Sequence, residues 1–256
     1  MRFIRFKLDD GPPVYGWLQA DQVGRLEGTP FGEYRRLEPD YSLDRVDLLA
    51  PVEPGKIICF GVNYADHARE HGIDLPETPL FFTKPPSAVI GHGAQIELPP
   101  QSKRVEHEAE LALVIGQRGR WIAAEEAHKF IMGYTISNDV TARDLQQRDG
   151  QWARSKGFDT FCPIGPWIET DFDPIDAIVT CHVNGELRQM VSTQEMLFSI
   201  PQLISYVSSV MTLYPGDIIL TGTPAGVGVL NPGDIVKVGI EGIGELSNPV
   251  VAVSRD

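Results

Sequence analysis

Short apolar runs bounded by glycine, proline or asparagine recur along the chain after residue 55, and this pattern is typical of buried β-strands. The runs that predict strands are residues 56–61, 96–98, 109–115, 130–138, 178–183, 217–221 and 234–240. Pro-Gly-Asp-Ile occurs at residues 215–218 and again at 232–235, and Pro followed by Gly favours a type II turn at each strand entrance. The pattern predicts a mainly β fold with tight turns.

Helical patterns are fewer. Residues 123–130 have a helical composition. Residues 200–212 predict a helix with one apolar face, formed by Leu203, Ile204, Val207, Val210 and Met211. No charged residue lies between residues 196 and 216, so we expect this helix to pack under the sheet.

The first 50 residues differ from the rest, because they alternate short apolar stretches with turn signals at residues 10–13 and 28–30. Pro51, Pro54 and Gly55 then precede the first long apolar run. A chain of 256 residues is expected to form one large domain, or a large domain with a small appendage. We therefore predict a small, strand-rich N-terminal domain at residues 1–52 and a main domain at residues 53–256.

The net charge limits the classes of partner that the protein is expected to bind, and the cysteine spacing limits the disulfide and metal sites that it could form. Basic residues number 22 and acidic residues 35, and the resulting charge of −13 disfavours nucleic acid and anionic membranes as partners.

The uncharged stretch 196–216 is long enough to cross a bilayer, but a proline, a glutamine and several serines interrupt it. Cys59, Cys162 and Cys181 lie too far apart for a disulfide framework or a CxxC metal site. The N-terminus has no apolar stretch typical of a signal peptide, so we expect a cytoplasmic protein. Small molecules are the expected partners.

Two carboxylates lie at the start of the predicted strand 109–115. In a strand, Glu108 and Glu110 point to the same side, and both faces of the strand continue into apolar residues. Two buried anions one pleat apart repel each other and lose hydration, which favours protonation or a bound cation. The alternative is a frayed strand end with two solvated glutamates, and this motif alone does not decide between the two.

A third carboxylate, Asp139, follows the apolar run 130–138, where a strand end would project it into a cleft. Three carboxylates without a cysteine or an obligatory histidine form a hard oxygen donor set, which suits Mg²⁺, Mn²⁺ or Ca²⁺. Asp139 could instead cap the next turn, and Asp144 is an equally plausible acid. Sequence spacing does not choose between the two aspartates.

A histidine and a glutamate three residues apart form a candidate acid/base pair. If residues 64–71 form a helical turn or two closed by Gly72, then His67 and Glu70 lie on one face. A carboxylate beside an imidazole raises its basicity and orients it, which suits activation of a water. Histidine and glutamate are also common on exposed helix surfaces. The prolines and glycine that follow, up to residue 91, predict a mobile segment of the kind that a lid requires.

Two further segments offer groups that would contact a substrate. Lys156 lies between Ser155 and Gly157 in a turn-like stretch, where its ammonium would face an anion or lie on the surface. The loop 220–228 offers backbone amides and two hydroxyls, but it lacks the lysine and the spacing of a P-loop. Carboxylate binding and a plain turn both remain open for this loop.

Taken in chain order, eight motifs resemble the fumarylacetoacetate hydrolase family and extend over nearly all of the chain from residue 56 onward. The motifs are GVNYADHA at 61–68, FFTKPPSAVIG at 81–91, HEAELALVIG at 107–116, GYTISNDVTARDLQ at 133–146, SKGFDTFCPIGPWI at 155–168, VNGELRQ at 183–189, FSIPQLISYVS at 198–208 and GDIILTGTPAGVG at 216–228. Each motif is weak alone, but the ordered set is specific. The first 50 residues resemble the short N-terminal domain of many bacterial members.

The resemblance implies a mixed β-sandwich or β-roll of strongly curved sheets, which forms a homodimer. It implies a divalent metal, Mg²⁺ or alternatively Mn²⁺ or Ca²⁺, held by Glu108, Glu110 and Asp139. It also implies that His67 and Glu70 form an acid/base dyad on a segment that orders when substrate binds.

The same resemblance implies roles for four further polar residues. Lys156 corresponds to a lysine that faces the substrate oxygen or carboxylate, and Thr223 to a hydroxyl of the substrate-binding loop. Arg143 and Gln146 correspond to polar residues near the metal. Val62 departs from the arginine that acylpyruvate and oxaloacetate members often carry, which favours the isomerase and decarboxylase members of the homoprotocatechuate pathway.

The leading hypothesis is therefore an Mg²⁺-dependent isomerase or decarboxylase of enolisable 2-oxo dicarboxylates from aromatic catabolism, for example 2-hydroxyhepta-2,4-diene-1,7-dioate. Within the family, the alternatives are a fumarylpyruvate-type acylpyruvate C–C hydrolase and an oxaloacetate decarboxylase. From a different class, the third hypothesis is a non-catalytic metal-binding scaffold. The intact pair of His67 and Glu70 disfavours the scaffold, since a binder has no evident need for an acid/base dyad.

Overall fold

The computed structural model describes residues 1–253, and it is mainly β with a few short helices, as the sequence predicts. The strands of the first 50 residues are β1 Arg2–Lys7, β2 Val14–Gln19, β3 Gln22–Gly28, β4 Tyr34–Ser42 and β5 Asp47–Leu48. The later strands are β6 Ile57–Gly61, β7 Leu80–Lys84, β8 Val89–Ile90, β9 Ile96–Leu98, β10 Val105–His107, β11 Ala109–Ile115, β12 Ile131–Asn138, β13 Thr141–Ala142, β14 Cys162–Glu169, β15 Ile178–Val183, β16 Glu186–Ser192, β17 Ile218–Leu220, β18 Gly228–Val229, β19 Ile235–Ile240 and β20 Gly244–Ala252. The α-helices are α1 Ala65–His71, α2 Arg143–Asp149, α3 Ala153–Lys156 and α4 Ile200–Val210, and 3₁₀ helices occupy Leu43–Arg45, Pro86–Ala88, Ala124–Phe130 and Thr193–Glu195.

Within residues 1–253, the strands form three sheets. The largest follows the order β4-β3-β2-β1-β14-β12-β11-β17-β6-β7, and β5 and β8 pair with its strands β1 and β14. A second sheet follows the order β16-β15-β19-β20-β9, and β13, β10 and β18 form a small third sheet. Strands β11 and β12 contact β15 and β19 of the second sheet, and the main apolar core lies between these layers.

The N-terminal strands continue the largest sheet. Strand β1 pairs with β14 in antiparallel register, with Arg2 opposite Glu169. The carboxylate of Glu169 accepts hydrogen bonds from the N-terminal ammonium at 3.1 Å and from the Arg2 side chain at 2.9 Å. The first 50 residues are strand-rich, as expected, while a domain boundary at residue 52 stays a prediction.

The predicted strands form within one residue of the expected bounds. Both Pro-Gly turns also form, since φ is +87° at Gly216 and +94° at Gly233. In each turn the next aspartate amide donates to the carbonyl before the proline, from Asp217 to Tyr214 at 3.0 Å and from Asp234 to Asn231 at 3.1 Å. A left-handed glycine after proline is what a type II turn requires.

The helical predictions hold in part. The predicted helix at 200–212 is α4, which buries three apolar side chains of its predicted face in the main core. Residues 124–130 form a 3₁₀ helix instead of an α-helix, and Ala127 is their one buried residue, so the segment offers no apolar stripe to stabilise a longer helix. Helix α2 was not predicted. None of the helices described within residues 1–253 is both long and apolar enough to span a membrane.

Candidate active site

The three predicted carboxylates meet at one edge of the largest sheet. Strands β11 and β12 are antiparallel and pair Ala109 with Asn138, so the residue before β11 and the residue after β12 become neighbours. The Asp139 amide donates to the Glu108 carbonyl at 2.8 Å. Carboxylate oxygens of Glu108, Glu110 and Asp139 lie within 4.8 Å of one another, and all three residues are buried. We call this set the acidic triad.

Asp144, the alternative acid, lies apart from the acidic triad. Its carboxylate accepts hydrogen bonds from the Ser102 hydroxyl at 2.5 Å and the Lys103 amide at 3.0 Å. The structure therefore places Asp139 in the cluster and gives Asp144 a local role in fixing the preceding loop.

Two buried lysines neutralise part of the acidic triad. The Lys156 ammonium donates to Glu108 and to Asp139, each at 2.7 Å, and its side chain is 3% exposed, which excludes the surface alternative. Burial disfavours its charged form, but Asp139 and Glu108 outweigh burial and raise the pKa of Lys156 above its ordinary value. Lys84 donates to Asp139 at 2.5 Å and to the Val140 carbonyl at 3.1 Å.

Arg143, the first residue of α2, forms ion pairs with two buried glutamates, Glu106 and Glu108. It donates to Glu106 at 2.6 Å, to Gln146 at 2.5 Å and also to Glu108. Burial alone would raise the pKa of Glu108, but Lys156 and Arg143 together hold it far below its ordinary value. Glu108 is therefore a fixed anion.

Glu110 has different surroundings. Within residues 1–253, no lysine or arginine lies within ion-pair distance of its carboxylate, which accepts one hydrogen bond, from the Gly222 amide at 2.5 Å. Burial, Asp139 and Glu108 raise the pKa of Glu110 well above its ordinary value. Three clustered oxygen donors with one uncompensated carboxylate fit a hard divalent cation such as Mg²⁺ or Mn²⁺.

The predicted helical turn with His67 and Glu70 is α1, which ends at Gly72 with a φ of +63°. His67 is buried, and burial is the main cause that lowers the pKa of its imidazole. The Glu70 carboxylate lies 3.7 Å from His67 Nδ1, beyond hydrogen-bond length. It accepts instead from the Gly226 amide at 3.1 and 3.2 Å.

The loop 220–228 therefore binds carboxylates, but they belong to the protein. The Gly222 amide holds Glu110, and the Gly226 amide holds Glu70. Gly222 has a φ of +100°, a backbone conformation that glycine adopts without strain. One loop thus connects the acidic triad with α1.

A cavity of about 210 Å³ joins the acidic triad to His67. Eight of the nine site residues expected from the sequence line it: His67, Glu108, Glu110, Asp139, Arg143, Gln146, Lys156 and Thr223. Glu70 is the exception, because its carboxylate binds Gly226. Val62 also lines the cavity, and its φ of +57° is unusual for a β-branched residue.

Gln189 on β16 fixes Thr223, and this role was not predicted from the sequence. Its amide nitrogen donates to the Thr223 hydroxyl and the Pro224 carbonyl, each at 2.9 Å. Its oxygen accepts from the Ala109 amide at 3.1 Å and lies 3.0 Å from His107 Nδ1. The Thr223 hydroxyl in turn donates to the Ala109 carbonyl at 3.0 Å, so its one proton is committed within the protein.

Lys84 and Glu106 were also missed. Lys84 ends the apolar run of β7, and Glu106 lies within the buried strand β10. Lys84 follows an apolar run, and a charged residue there must find a partner when it is buried. Glu106 stands among charged residues in the sequence, so no such signal marked it.

Comparison with known proteins identifies the fold. Residues 56–251 match the family described as fumarylacetoacetate (FAA) hydrolase C-terminal. The chain belongs to the fumarylacetoacetate hydrolase family. Residues 1–51 match a second family, described as Rv2993c-like, N-terminal. The family expected from the eight motifs is confirmed.

Relatives within the fumarylacetoacetate hydrolase family carry several activities in their names. Oxaloacetate tautomerase FAHD2B, mitochondrial, from Bos taurus is 48% identical over 219 residues, 80% of this chain and 70% of the relative. The crystal structure of 2-hydroxyhepta-2,4-diene-1,7-dioate isomerase from Mycobacterium marinum is 42% identical, with a TM-score of 0.91 over 100% of both chains. Maleylpyruvate hydrolase from Sphingobium sp. SYK-6, in complex with manganese(II) ion and pyruvate, is 33% identical, with a TM-score of 0.82 over 99% of this chain and 100% of that one. Members of this family are enzymes.

Proposed function

We propose that this protein is a divalent-metal-dependent isomerase or decarboxylase of enolisable 2-oxo or 2-hydroxydienoate dicarboxylates, such as 2-hydroxyhepta-2,4-diene-1,7-dioate. The observation that carries the proposal is one cavity lined both by the acidic triad and by a buried imidazole. The isomerase from M. marinum, which matches the chain over its whole length, supports the substrate class.

Glu108, Glu110 and Asp139 would hold Mg²⁺, with Mn²⁺ or Ca²⁺ as alternatives, since all three residues offer oxygen donors. The bound ion would supply a Lewis acid that stabilises negative charge on the oxygen of an enolising 2-oxo acid. The manganese ion in the maleylpyruvate hydrolase supports the choice of a hard divalent metal.

The charges of the site explain how it would admit an anionic substrate. The acidic triad and Glu106 offer four carboxylates, and four cationic side chains pair with this group, those of Lys84, Lys156, Arg143 and Arg104. The charges balance when all four carboxylates are ionised, so a divalent cation would give the site a net positive charge, which attracts a carboxylate in a low-dielectric cavity. Lys156 and Arg143 line the cavity and would orient the substrate carboxylate.

His67 would transfer the proton that isomerisation moves. Burial lowers its pKa, so the imidazole is neutral and ready to accept a proton. Glu70 lies 3.7 Å from Nδ1, and a shift of less than ~1 Å would bring it into a hydrogen bond that stabilises the protonated ring. Glu70 would therefore exchange its contact with Gly226 for one with His67 during turnover.

C–C hydrolysis of an acylpyruvate is the second candidate. A neutral imidazole in the cavity could activate a water as well as move a carbon-bound proton. The maleylpyruvate hydrolase, with pyruvate bound, supports this alternative.

Parallel incubations test the proposal. The purified protein would be given 2-hydroxyhepta-2,4-diene-1,7-dioate, oxaloacetate and fumarylpyruvate, each with Mg²⁺ and with chelator, and products would be followed by absorbance and chromatography. We expect metal-dependent conversion of the dienoate to exceed the other two rates. Faster cleavage of fumarylpyruvate would favour the hydrolase, and no conversion of any substrate with Mg²⁺ or Mn²⁺ would contradict the proposal.

A further inference from the structure

Helix α1 carries a second group of ligand atoms, made of His67, Glu70 and His71. Their spacing in the sequence places all three on neighbouring positions of one helical turn. The Glu70 carboxylate lies 3.7 Å from His67 Nδ1 and 4.0 Å from His71 Nε2, and the ligand atoms all lie within 4.8 Å of one another. We call these three residues the α1 ligand group.

The two imidazole nitrogens of this group are buried without hydrogen-bond partners. Among the residues that the structure describes, neither Nδ1 of His67 nor Nε2 of His71 has one. The His67 side chain is 8% exposed, so water offers little compensation. A buried nitrogen without a partner costs free energy, whereas a metal ion would accept the lone pairs of both rings at once.

The donor chemistry separates this group from the acidic triad. Two imidazoles and one carboxylate are the ligands of three-residue zinc sites, in which a fourth position stays open. The acidic triad offers oxygen alone, which Mg²⁺ and Mn²⁺ prefer. His67 and His71 line the same cavity as Glu110, so the open position would face the substrate space.

The ligand atoms lie within 4.8 Å of one another, so metal binding requires a contraction of at most ~1.4 Å in any pair. Ligand atoms around a tetrahedral zinc ion lie ~3.4 Å apart, since each bond measures ~2.0–2.1 Å. The two distances from Glu70 exceed this separation by less than ~1 Å. Glu70 Oε1 could keep its contact with the Gly226 amide while Oε2 binds the ion.

We propose that His67, Glu70 and His71 form an inhibitory site for Zn²⁺ or a similar borderline divalent ion, distinct from the acidic triad. A metal on Nδ1 fixes the proton of His67 on Nε2, so that the ring can donate a proton but no longer accept one. The ion also binds the carboxylate that would stabilise the charged ring. Metal binding is independent of the proposed function, whereas the inhibition rests on it.

Zinc binding is measured on the full chain by equilibrium dialysis against Zn²⁺ in the presence of excess Mg²⁺. His71→Gln removes one ligand with little change in size, and His128→Gln, at an exposed histidine, is the matched control. We expect the wild type and the control to retain one zinc ion that Mg²⁺ does not displace. We expect His71→Gln to weaken zinc binding by at least about tenfold, since even outer partners of a ligand contribute 10- to 100-fold. Equal affinity in all three proteins would overturn the proposal.

Cobalt provides a readout that does not depend on activity. Co²⁺ in a four-coordinate site with nitrogen ligands absorbs intensely in the visible range, whereas six-coordinate Co²⁺ bound by oxygen absorbs weakly. We expect the intense bands in the wild type and in Glu110→Gln, and their loss in His71→Gln. Glu70→Gln repeats the test if His71→Gln does not fold. Bands that disappear with Glu110 and persist without His71 would place the ion in the acidic triad and reject the α1 site.

Inhibition is measured on the Mg²⁺-loaded protein, with each rate compared with the same variant's zinc-free rate. We expect Zn²⁺ to inhibit the wild type and His128→Gln, and His71→Gln to require at least about tenfold more zinc. Zinc bound through His71 without loss of rate would overturn the inhibition and also the role of His67. Absence of turnover under every condition would instead contradict the proposed function, and the dialysis and cobalt results would still decide the metal site.

Discussion

At the scale of single residues, Glu110 differs most from its neighbours. Lys156 and Arg143 neutralise Glu108, and two lysines neutralise Asp139, whereas Glu110 receives one backbone amide. A carboxylate that is buried beside two others raises the free energy of the metal-free protein and favours cation binding. Replacement of Glu110 should therefore affect metal binding more than folding.

Glu110→Gln is expected to abolish metal-dependent activity while the fold persists, because glutamine keeps an oxygen for the Gly222 amide. Thermal unfolding with and without Mg²⁺ measures metal binding and shows whether the fold persists. Binding stabilises a protein by about 2.7 kcal/mol at a hundredfold excess over Kd, so Mg²⁺ should raise the melting temperature of the wild type but not of the variant. Glu97→Gln, at an exposed glutamate, is the control. Full activity of Glu110→Gln in chelator would exclude the metal role of this residue.

His67→Ala separates the candidate reactions. Loss of a general base should lower C–C hydrolysis by roughly 10²- to 10⁴-fold, whereas decarboxylation of a chelating 2-oxo acid should fall less, provided that proton delivery does not limit it. Rates for fumarylpyruvate and oxaloacetate, measured side by side with His128→Ala as control, provide the comparison. Equal loss of both rates would mean that His67 also transfers the enol proton or that α1 requires it for closure. An unchanged hydrolysis rate would remove His67 from the mechanism.

At the scale of elements, the pair of β1 and β14 joins the N-terminal strands to the largest sheet. Burial disfavours the charged form of Glu169, but hydrogen bonds from the Asp171 amide, Arg2 and the N-terminal ammonium outweigh burial and lower its pKa. A lowered pKa means that the charged carboxylate stabilises the folded state above its ordinary value of 4.5. This stabilisation is lost as the pH falls through the lower, folded-state value.

Glu169→Gln is accordingly expected to reduce the free energy of unfolding by about 1.5–3 kcal/mol at neutral pH, the range for a hydrogen bond to a charged group. The difference from the wild type should shrink once the pH falls below 4.5, the ordinary value for this carboxyl. Urea unfolding of both proteins from neutral pH to below 4.5 measures the difference in the free energy of unfolding, and Glu186→Gln, at an exposed residue of β16, is the control. A difference that does not change with pH would show that the charge of Glu169 is not the stabilising factor.

Seven of the strands after residue 55 could be predicted from the sequence because glycine, proline or asparagine bound their apolar runs, whereas others, including β7, β16 and β20, were not predicted. Strand β14 was missed for a physical reason, since Pro163 and Pro166 lie within it and remove backbone donors that a central strand normally uses. Helix α2 was missed because Leu145 is its one large apolar residue, and the side chain that anchors it is the buried Arg143. A helix that is anchored by a charged side chain lacks the periodic apolar positions from which helices are predicted in a sequence.

The candidate site was only partly predictable. Strand period and the end of an apolar run indicated Glu108, Glu110 and either Asp139 or Asp144 as candidates before any resemblance was used. The position of Lys156 depends on carboxylates 48 and 17 residues away in the chain, and no local pattern contains that information. Lys156, Arg143, Gln146 and Thr223 were expected from the family resemblance, and their catalytic or binding roles stay predictions.

At the scale of the whole molecule, we expect a homodimer. The resemblance to a family with dimeric members carries this expectation, and the most frequent soluble assembly is a two-fold dimer. Sedimentation velocity at micromolar concentration measures it, with dilution as the control for weak association. A single monomer species over this range would contradict the expectation.

The three cysteines can report how often the folded protein opens and exposes its buried side chains. Each is a buried free thiol, and burial is the main cause that raises the pKa of all three. A thiol reagent would therefore label the native protein slowly, at rates set by how often the structure opens. Cys181 lies in the main core, whereas Cys59 and Cys162 share a second apolar cluster. Labelling followed by peptide mapping would give separate opening rates for the two clusters, and a bound metal would slow the reaction of Cys59 and Cys162 if it tightens the edge of the sheet from which the acidic triad projects.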